Sequence, residues 1–333
     1  MAIVISLYPK VGFEVAGVAI PEELSFRFIN RGSDDELIAA CKGASCLLAG
    51  SISGKIESRI LENLSDIKLI HCIGAGYDHI DIAAATRLGI PIANAPGQNT
   101  LAVAELAVSF MIALLRQFVT SDHEIKAGNY ASCRAKLVRA GIRQLSDSRV
   151  GLMGLGAIGR EVARLAGIME ASLSYFDPFR QPPKVEADLK ITYRAFDDLL
   201  ANSDIVSIHI PLTPETRDLI ERRELSLMPA GGMLINTARG EVVNQSDLAE
   251  ALEIGHIAGA AIDTLHPEPP GSDHPLLNLS PTASNRLLMT PHIAGSTIAA
   301  TKGMLTVALK NMLLAARGES VPTTVNEITR RVD

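Results

Sequence analysis

The sequence predicts an α/β protein made of two doubly wound parallel sheets. Short runs rich in β-branched residues, such as "AIVISL" (2–7), alternate with helical patterns such as "DDELIAACK" (34–42). One long apolar segment near residue 100 interrupts this rhythm, which resumes after residue 148. Strands that alternate with helices form βαβ units and therefore parallel sheets. Two separate sets of such units indicate two α/β domains.

The predicted strands fall into two groups along the chain. The first group comprises residues 2–7, 46–50, 68–74 and 90–95, with helical patterns at 34–42 and 57–64. The second group comprises residues 149–155, 171–176, 204–210, 232–238, 258–265 and 286–290. A final helix is expected at about 297–317.

Two turn-rich stretches mark the expected domain boundaries. They are "NAPGQNT" (94–100) and "PHIAGST" (291–297), and each directly precedes a long helical pattern. We expect the chain to cross into the second domain near residue 100 and to return near residue 296. The first domain would then comprise residues 1–99 and 296–333 and the second residues 100–295, with both crossings acting as hinges beside a cleft.

Composition narrows the class of protein. A chain of 333 residues with 47% hydrophobic and 20% charged residues is typical of globular proteins with a substantial core. A formal net charge of −6 argues against nucleic acid or an anionic membrane as the main partner. The four cysteines form no C-x-x-C pair, so we expect reduced thiols in a cytoplasmic protein, with neither a zinc site nor a disulfide framework.

Neither of the two most apolar segments predicts a membrane anchor or a signal peptide. The N-terminal "MAIVISLYPK" lacks a basic region and a cleavage site. The segment "LAVAELAVSFMIALL" (101–115) contains Glu105 and is shorter than the roughly 20 residues of a membrane span. Because this segment is apolar on almost every side, we expect a helix buried between domains or subunits.

The clearest single motif is "VGLMGLGAIGREVA" (150–163). Gly154, Gly156 and Gly159 form a G-x-G-x-x-G pattern between an apolar strand and a helix, which is typical of a loop that holds a dinucleotide pyrophosphate on a helix N-terminus. Asp177 closes the next strand, 18 residues beyond the last glycine. A carboxylate there accepts hydrogen bonds from ribose hydroxyls and repels a 2′-phosphate, so the unit predicts NAD.

Polar residues follow the predicted strands at the edge where such sheets bind ligands. Ligands of open α/β sheets lie outside the carboxyl ends of the strands. The residues that follow the later strands are His209, Thr237, Arg239, Asp263 with Glu268, and His292. An arginine binds a carboxylate bidentately, and an imidazole exchanges a hydroxyl proton. Beside a dinucleotide, this set predicts hydride transfer to or from a carbonyl that carries a carboxylate.

Five blocks resemble the signature blocks of the D-isomer-specific 2-hydroxyacid dehydrogenases. They are "GLMGLGAIG", "HIPLTPET" (209–216), "GGMLINTARGEVV" (231–243), "GAAIDTLHPEP" (259–269) and "TPHIAGST" (290–297). In the first domain, "CIGAGYDHID" (72–81) and "NTLAVAE" (99–105) resemble that family's substrate loop and interdomain helix. The resemblance covers about residues 46–326. It implies a Rossmann NAD-binding domain inserted into a flavodoxin-like substrate-binding domain, an NAD(H) or NADP(H) cofactor, and usually a homodimer built around the long helix.

The resemblance also implies roles for individual residues. Arg239 binds the substrate carboxylate and carbonyl, Glu268 is the partner of the histidine, and His292 is the acid/base. Implied cofactor contacts are Gly154, Gly156, Ala157, Ile158, Gly159, Asp177, His209, Pro211, Thr216, Thr237, Ala238, Asp263 and Ala294, with Asp263 near the nicotinamide amide. Implied substrate contacts are Ser51, Gly74, Ala75, Gly76 and Arg239, where the loop 74–77 offers main-chain N–H groups.

The sequence leaves the substrate open. The segment 49–57 lacks the arginine of many relatives and offers Ser51 and Lys55, and the chain has no tryptophan. Phosphoglycerate recognition would need further cations, for which Lys55, Arg134 and Arg143 are candidates. A small 2-oxo acid such as glyoxylate, hydroxypyruvate or pyruvate is at least as consistent with the sequence as 3-phosphohydroxypyruvate.

Other classes of function compete with the dehydrogenase. One is a non-catalytic NAD(H)-sensing interaction protein of the same fold. Another is a formate dehydrogenase-like enzyme, which has glutamine in place of Glu268. The loop "HPEPPGSDH" (266–274) fits no standard pattern of metal ligands, so no metal is expected. The remaining histidines at 71, 79, 123 and 256 are expected to be structural or exposed.

Overall fold

The computed structural model describes residues 1–50 and 53–329. The chain forms two compact units. Unit 1 comprises Met1–Asn99 and Gly295–Asp333, and unit 2 comprises Thr100–Ala294. The second boundary therefore lies one residue earlier than the sequence predicts. The assignment of substrate binding to unit 1 stays a prediction.

Unit 1 contains a parallel five-stranded sheet. Its strands are β1 (Ala2–Ser6), β2 (Leu24–Phe28), β3 (Cys46–Ala49), β4 (Leu69–Cys72) and β5 (Ile92–Ala93). Its helices in this first segment are α1 (Lys10–Ala16), α2 (Asp34–Cys41), α3 (Ser58–Leu61) and α4 (Ile82–Arg87). The strand order β2-β1-β3-β4-β5 is the flavodoxin-like order, as predicted. Apolar side chains of the central strands, Leu47 and Ile70 among them, are fully buried in its core.

Unit 2 contains a parallel seven-stranded sheet. Its strands are β6 (Arg149–Met153), β7 (Ser172–Phe176), β8 (Ile191–Tyr193), β9 (Ile205–Ile208), β10 (Gly232–Asn236), β11 (Ile257–Ile262) and β12 (Leu287–Met289). Its helices are α5 (Thr100–Leu115), α6 (Phe118–Lys126), α7 (Tyr130–Ala140), α8 (Ala157–Ile168), α9 (Pro183–Leu189), α10 (Phe196–Ala201), α11 (Arg222–Leu227), α12 (Gln245–Glu253) and α13 (Pro281–Ser284). The order β12-β11-β10-β9-β6-β7-β8 is the Rossmann order with one further strand. The strand order reverses between β6 and β9, where such sheets bind ligands.

The long apolar helix α5 is buried mainly inside unit 2. It packs on α8, β10 and β11, and Ala104, Ala107 and Met111 are fully buried. Its apolar composition is therefore explained largely by its position on the Rossmann sheet. The sequence predicts burial between domains or subunits, but hydrophobicity alone does not tell which neighbour covers a helix. Contact of its remaining surface with a second subunit stays a prediction.

Helices α6 and α7 form an exposed arm. In the described structure no residue of α6 is buried, and Cys133 is the buried residue of α7. Several large apolar side chains of the arm face solvent, namely Phe118, Val119, Ile125, Tyr130 and Val138. A helix of about ten residues is marginal on its own, because most helical stability in proteins comes from packing. This arm is therefore stabilised poorly by its own unit.

The C-terminal segment of unit 1 contains the helix α14 (Ile298–Ala316), as predicted, with the side chain of Thr297 as its N-cap. By length and composition alone α14 could span a membrane. Half of its apolar window is nevertheless buried, and it packs on α1, β3 and β4. These contacts are those of a core helix.

Candidate active site

The glycine loop joins β6 to α8 and is shaped by close backbone contacts. Gly154 has a φ of 92°, and a Cβ there would lie 2.7 Å from the carbonyl oxygen of His209. A Cβ on Gly159 would lie 2.2 Å from the carbonyl oxygen of Gly154. The first glycine therefore provides the tight turn, and the third lets α8 approach the loop.

Gly156 differs from these two glycines because it borders open space. A Cβ on Gly156 would meet no atom within 4 Å among the described residues. Gly156 is the N-cap of α8 and provides no side-chain cap, so the first N–H groups of Ala157, Ile158 and their neighbours remain available. An uncapped N-terminus of a twelve-residue helix attracts a phosphate through its N–H groups and its dipole. The residues present thus fit a dinucleotide pyrophosphate.

Asp177 follows β7 and fixes the glycine loop from the side. Its Oδ2 accepts a hydrogen bond from the Leu155 N–H at 3.0 Å, and its Oδ1 accepts one from the Phe179 N–H at 3.0 Å. The sequence predicts a ribose-binding carboxylate here, and the competing interpretation is a turn residue before Pro178. The structure places the carboxylate in the turn and against the glycine loop at the same time, which is compatible with both.

The lone histidine of "TPHIAG" forms a short contact with a carboxylate. His292 Nδ1 lies 2.7 Å from Glu268 Oε2, and both side chains are about one fifth exposed. The other oxygen, Glu268 Oε1, accepts a hydrogen bond from the Leu265 N–H at 2.8 Å. Glu268 is thus oriented by the main chain, and it in turn orients the imidazole. The pairing is the one that the resemblance implies.

The turn that carries His292 is held by Asp263. His292 has a φ of 53°, in the left-handed region that few non-glycine residues adopt. The buried Asp263 carboxylate accepts hydrogen bonds from the hydroxyl of Thr290 and from two N–H groups, those of Ile293 at 2.9 Å and Ala294 at 3.0 Å. These bonds stabilise the strained turn. Sequence reasoning missed this role, since it assigned Asp263 only to the nicotinamide amide, and missed Thr290 entirely.

Arg239 follows β10 in a turn that Asn236 stabilises. The Asn236 side chain donates to the Arg239 carbonyl at 2.8 Å and accepts from the Ala238 N–H at 3.0 Å. The Arg239 guanidinium donates to the Ala238 carbonyl at 2.7 Å. Beside them, the Thr237 hydroxyl is buried and has no partner among the described residues. A buried hydroxyl without a partner is a natural contact for a ligand.

His209, a predicted cofactor contact, directs one ring nitrogen at a residue of its own strand. Its Nε2 lies 2.9 Å from the Ser207 hydroxyl, and its Nδ1 is buried without a partner in the part of the chain described. Burial lowers the pKa of His209 to about 3, so the ring is neutral at physiological pH. The ring therefore points back toward β9, and the backbone of His209 contacts the glycine loop.

The other predicted cofactor contacts lie in the loops of the same unit. Pro211 accepts a hydrogen bond from the Thr216 hydroxyl at 2.7 Å through its carbonyl, and the same hydroxyl accepts one from the Thr213 N–H at 2.7 Å. These bonds fix the loop that follows β9. Within the described residues no group of three histidine, cysteine or acidic side chains could hold a metal ion.

The predicted substrate loop of unit 1 follows β4. Gly74, Ala75 and Gly76 are half-buried, and the Ala75 carbonyl accepts a hydrogen bond from the Asn94 side chain at 2.7 Å. No acceptor for the N–H groups of residues 74–76 is found among the described residues. Ser51, also predicted to contact substrate, lies outside the described residues.

Comparisons with known proteins agree on one family. The model of the "D-isomer specific 2-hydroxyacid dehydrogenase, NAD binding domain" matches residues 108–294. A glyoxylate reductase of Thermofilum pendens is 35% identical over 90% of this chain and 86% of that protein. A D-3-phosphoglycerate dehydrogenase of Archaeoglobus fulgidus is 36% identical over 82% of this chain, but the match spans only 50% of that protein.

A solved formate dehydrogenase from Granulicella shares the fold. It superposes with a TM-score of 0.86 over 100% of both chains, at 23% sequence identity. At that identity the likeness extends to the fold alone. The family-model match, the relatives and the Rossmann strand order together give the assignment: this chain belongs to the D-isomer-specific 2-hydroxyacid dehydrogenases, a family of NAD-dependent oxidoreductases.

Proposed function

We propose that this enzyme interconverts a small D-2-hydroxy acid and its 2-oxo acid, with His292 as acid/base, Glu268 as its partner and Arg239 as the substrate binder. The observation that supports this most directly is the 2.7 Å contact between His292 Nδ1 and Glu268 Oε2. Both residues follow strands of the sheet that carries the glycine loop and Arg239.

The contact with Glu268 defines which atom of His292 reacts. A carboxylate accepts a hydrogen bond but donates none, so Nδ1 carries the proton in this pair. Nε2 is then the atom that exchanges a proton with substrate. It donates a proton to the developing alkoxide during reduction and accepts the hydroxyl proton during oxidation. NAD(H), when bound, supplies or accepts the hydride.

Arg239 would bind the substrate carboxylate through its guanidinium. A guanidinium presents a planar fork of donors that matches a carboxylate and stays charged at every physiological pH. The hydrogen bond from the Asn236 side chain to the Arg239 carbonyl fixes the main chain of Arg239 next to the strand end.

A small unphosphorylated oxo acid such as glyoxylate or hydroxypyruvate is the favoured substrate. Recognition of a phosphate requires additional cations, and the sequence offers Lys55, Arg134 and Arg143. The structure supports no such role for Arg143, which lies 3.8 Å from Asp204 near the start of β9, at the sheet edge opposite the glycine loop. Glyoxylate reductases are among the relatives that match over most of their length.

The decisive test is an initial-rate panel of 2-oxo acids with NADH. Glyoxylate, hydroxypyruvate, pyruvate and 3-phosphohydroxypyruvate should be compared by kcat/KM, and formate should be tested with NAD⁺. Turnover highest with glyoxylate or hydroxypyruvate supports the proposal, and preference for the phosphorylated acid refutes the substrate class. Binding of NADH without turnover of any acid would favour the NAD(H)-sensing alternative. Turnover of formate would contradict the assigned role of Glu268.

We also propose a homodimer in which the arm of α6 and α7 is covered by the second subunit. Its support is the exposure of apolar residues such as Phe118 at 54% and Tyr130 at 62%. Two short helices with so few buried side chains need a partner surface to be stable. Sedimentation equilibrium should give twice the chain mass of 35.5 kDa at micromolar concentrations. A measured mass equal to that of a single chain throughout that concentration range would contradict the proposal.

A further inference from the structure

The loop that follows β7 carries an arginine close to the predicted ribose-binding carboxylate. Arg180 lies three residues beyond Asp177, in the segment between β7 and α9. In Rossmann domains an acidic residue at this place binds the ribose of NAD, whereas a nearby arginine accommodates the 2′-phosphate of NADP. The loop thus contains one residue of each kind.

The two side chains point to opposite sides of β7. The Asp177 carboxylate accepts the Leu155 N–H and so faces the glycine loop that follows β6. The Arg180 guanidinium instead stacks on the ring of Tyr193 in β8, with its Cζ 5.2 Å from the ring centroid. Because the strand order is β6-β7-β8, Arg180 points away from the glycine loop.

Glu186 of α9 holds Arg180 in this position. Arg180 donates two hydrogen bonds to the carboxylate, from Nε at 2.9 Å and from a terminal nitrogen at 3.0 Å. The hydroxyl of the buried Tyr175 donates to the same carboxylate at 2.7 Å and accepts the Gln181 N–H at 2.8 Å. The Arg180 guanidinium, and then the Tyr175 hydroxyl, lower the pKa of Glu186 to about 2, so its charge is present at any working pH.

We propose that Glu186 is a second determinant of NAD(H) preference, which acts by withholding Arg180 from the 2′-position of the adenosine ribose. Asp177 repels a 2′-phosphate directly, and Glu186 removes the cation that would otherwise bind it. This inference deepens the proposed function and depends on NAD(H) binding at the glycine loop.

Three features make this pair stronger than an ordinary surface ion pair. Exposed pairs contribute little, because both side chains lose freedom and solvent screens the charges. Here the pair is bidentate, the guanidinium stacks on Tyr193, and a buried tyrosine fixes the carboxylate. A 2′-phosphate would have to compete with all of these contacts for the same guanidinium.

The test is a set of variants whose affinities for NADH and NADPH are measured by the fluorescence of the bound dihydronicotinamide. Asp177→Ser alone should weaken NADH and improve NADPH only slightly, because Arg180 stays on Glu186. Glu186→Gln alone should leave NADPH weak, because Asp177 still repels it. Glutamine retains an acceptor for Tyr175, so the loop should keep its fold.

The double variant is the decisive measurement. Asp177→Ser with Glu186→Gln should bind NADPH at least about tenfold more tightly than Asp177→Ser alone. A charge-assisted hydrogen bond from Arg180 to the 2′-phosphate would account for a gain of that size. Adding Arg180→Ala should abolish that gain. Arg160, which is held by the Leu155 carbonyl and Gln181, is unchanged in every variant, so it cannot mimic this pattern.

Glu161→Gln is the matched control. Glu161 forms a bidentate pair with Arg164 on α8, with nitrogen–oxygen distances of 3.0 and 2.6 Å, but lies outside the loop after β7. In the Asp177→Ser background it should leave NADPH affinity unchanged. An equal gain from both Glu→Gln changes, or a gain that survives Arg180→Ala, would overturn the proposal. If the enzyme reduces none of the oxo acids but still binds NADH, the proposed reaction is refuted and this inference is unaffected.

Discussion

The two units contain parallel sheets of the same kind, yet the carboxyl edges of those sheets carry different chemistry. In unit 2, strands β10, β11 and β12 are followed by Arg239, by Asp263 and Glu268, and by His292. In unit 1, β4 is followed by Gly74, Ala75 and Gly76, which offer main-chain groups only. The doubly wound fold supplies the edge in both units, and the residues after each strand determine what that edge can do. We therefore expect changes at the catalytic residues of unit 2 to affect mainly kcat, and changes at the loop 74–76 of unit 1 to affect mainly KM.

The largest effect should follow the loss of the imidazole in unit 2. His292→Ala should reduce kcat in both directions by about 10² to 10⁴, the usual contribution of general acid–base catalysis, because proton transfer loses its donor and acceptor. NADH affinity should change little. Steady-state rates and NADH fluorescence titrations measure the two quantities.

His123→Ala is the control for this experiment. His123 is an exposed residue of α6 in the same unit, outside the candidate site. Its replacement should leave kcat unchanged. Turnover by His292→Ala near that of the unmodified enzyme would show that His292 only stabilises its turn.

A smaller loss is expected when the support of that turn is weakened. Both oxygens of Asp263 accept a hydrogen bond from a main-chain N–H group. In Asp263→Asn one of these oxygens becomes an NH₂ group, which cannot accept, so at least one hydrogen bond is lost. We expect kcat to fall by about ten- to a hundredfold, since a loss of one to three kcal/mol is typical for a buried group left without its partner. KM for the oxo acid should change less than kcat.

Asp247→Asn tests whether any such carboxylate has the same effect. Asp247 also accepts a backbone N–H, that of Arg222 at 2.9 Å, but it lies on α12. The Asp247→Asn substitution should leave kcat unchanged. If both variants lose stability equally and Asp263→Asn keeps its kcat, Asp263 is a structural residue only.

Most of the strands could be predicted from the sequence, and the two exceptions have a common cause. The strands β2 and β8 were not predicted, and both lie at sheet edges. β2 reads "LSFRF", with Arg27 exposed and one residue buried, and β8 has three residues. Edge strands are covered on fewer sides, so they need no continuous apolar run.

The candidate site was predictable where a residue type identifies its chemistry. The glycine pattern, Arg239, Glu268 and His292 were identified as candidates in this way. The bond from Thr290 to Asp263 was not, because neither residue type indicates a partner 27 positions away. The Asp177–Leu155 bond and the Arg180–Glu186 pair are likewise tertiary contacts. Sequence patterns thus identify candidate groups, and only the fold identifies which groups orient them.

Unit 1 should respond differently from unit 2 when its edge is perturbed. Asn94→Ala removes the hydrogen bond to the Ala75 carbonyl and should loosen the loop 74–76. We expect KM for the oxo acid to rise about tenfold, the equivalent of one hydrogen bond, with kcat less affected. The exposed Asn63, which donates to the Arg59 carbonyl at 2.8 Å, provides the control Asn63→Ala. A fall in kcat at unchanged KM would contradict the division of roles between the units.

The units also resemble each other in one respect, since each contains a histidine whose pKa is lowered by burial of its ring. In unit 1, His71 of β4 is fully buried, and its Nε2 lies 3.0 Å from the Asn311 side-chain nitrogen of α14. Asn311 is the donor, so Nε2 is unprotonated. Burial lowers the pKa of His71 to about 4, as it lowers that of His209 in unit 2 to about 3.

The smallest effect we expect is therefore a loss of stability in acid. Because the folded pKa of His71 lies below its unfolded value of about 6.5, its contribution is complete above that value and is lost as the pH falls toward 4. Between pH 7.5 and 5.0 the unmodified protein should lose about 2 kcal/mol through this group, because only the unfolded chain takes up the proton. His71→Gln can still bond to Asn311 but does not titrate, and all other groups titrate alike in both proteins. The difference in unfolding free energy between them, measured in urea at both pH values, should shift by that amount in favour of the variant. Parallel pH profiles would mean that His71 is protonated in the folded state and that its pKa is not lowered.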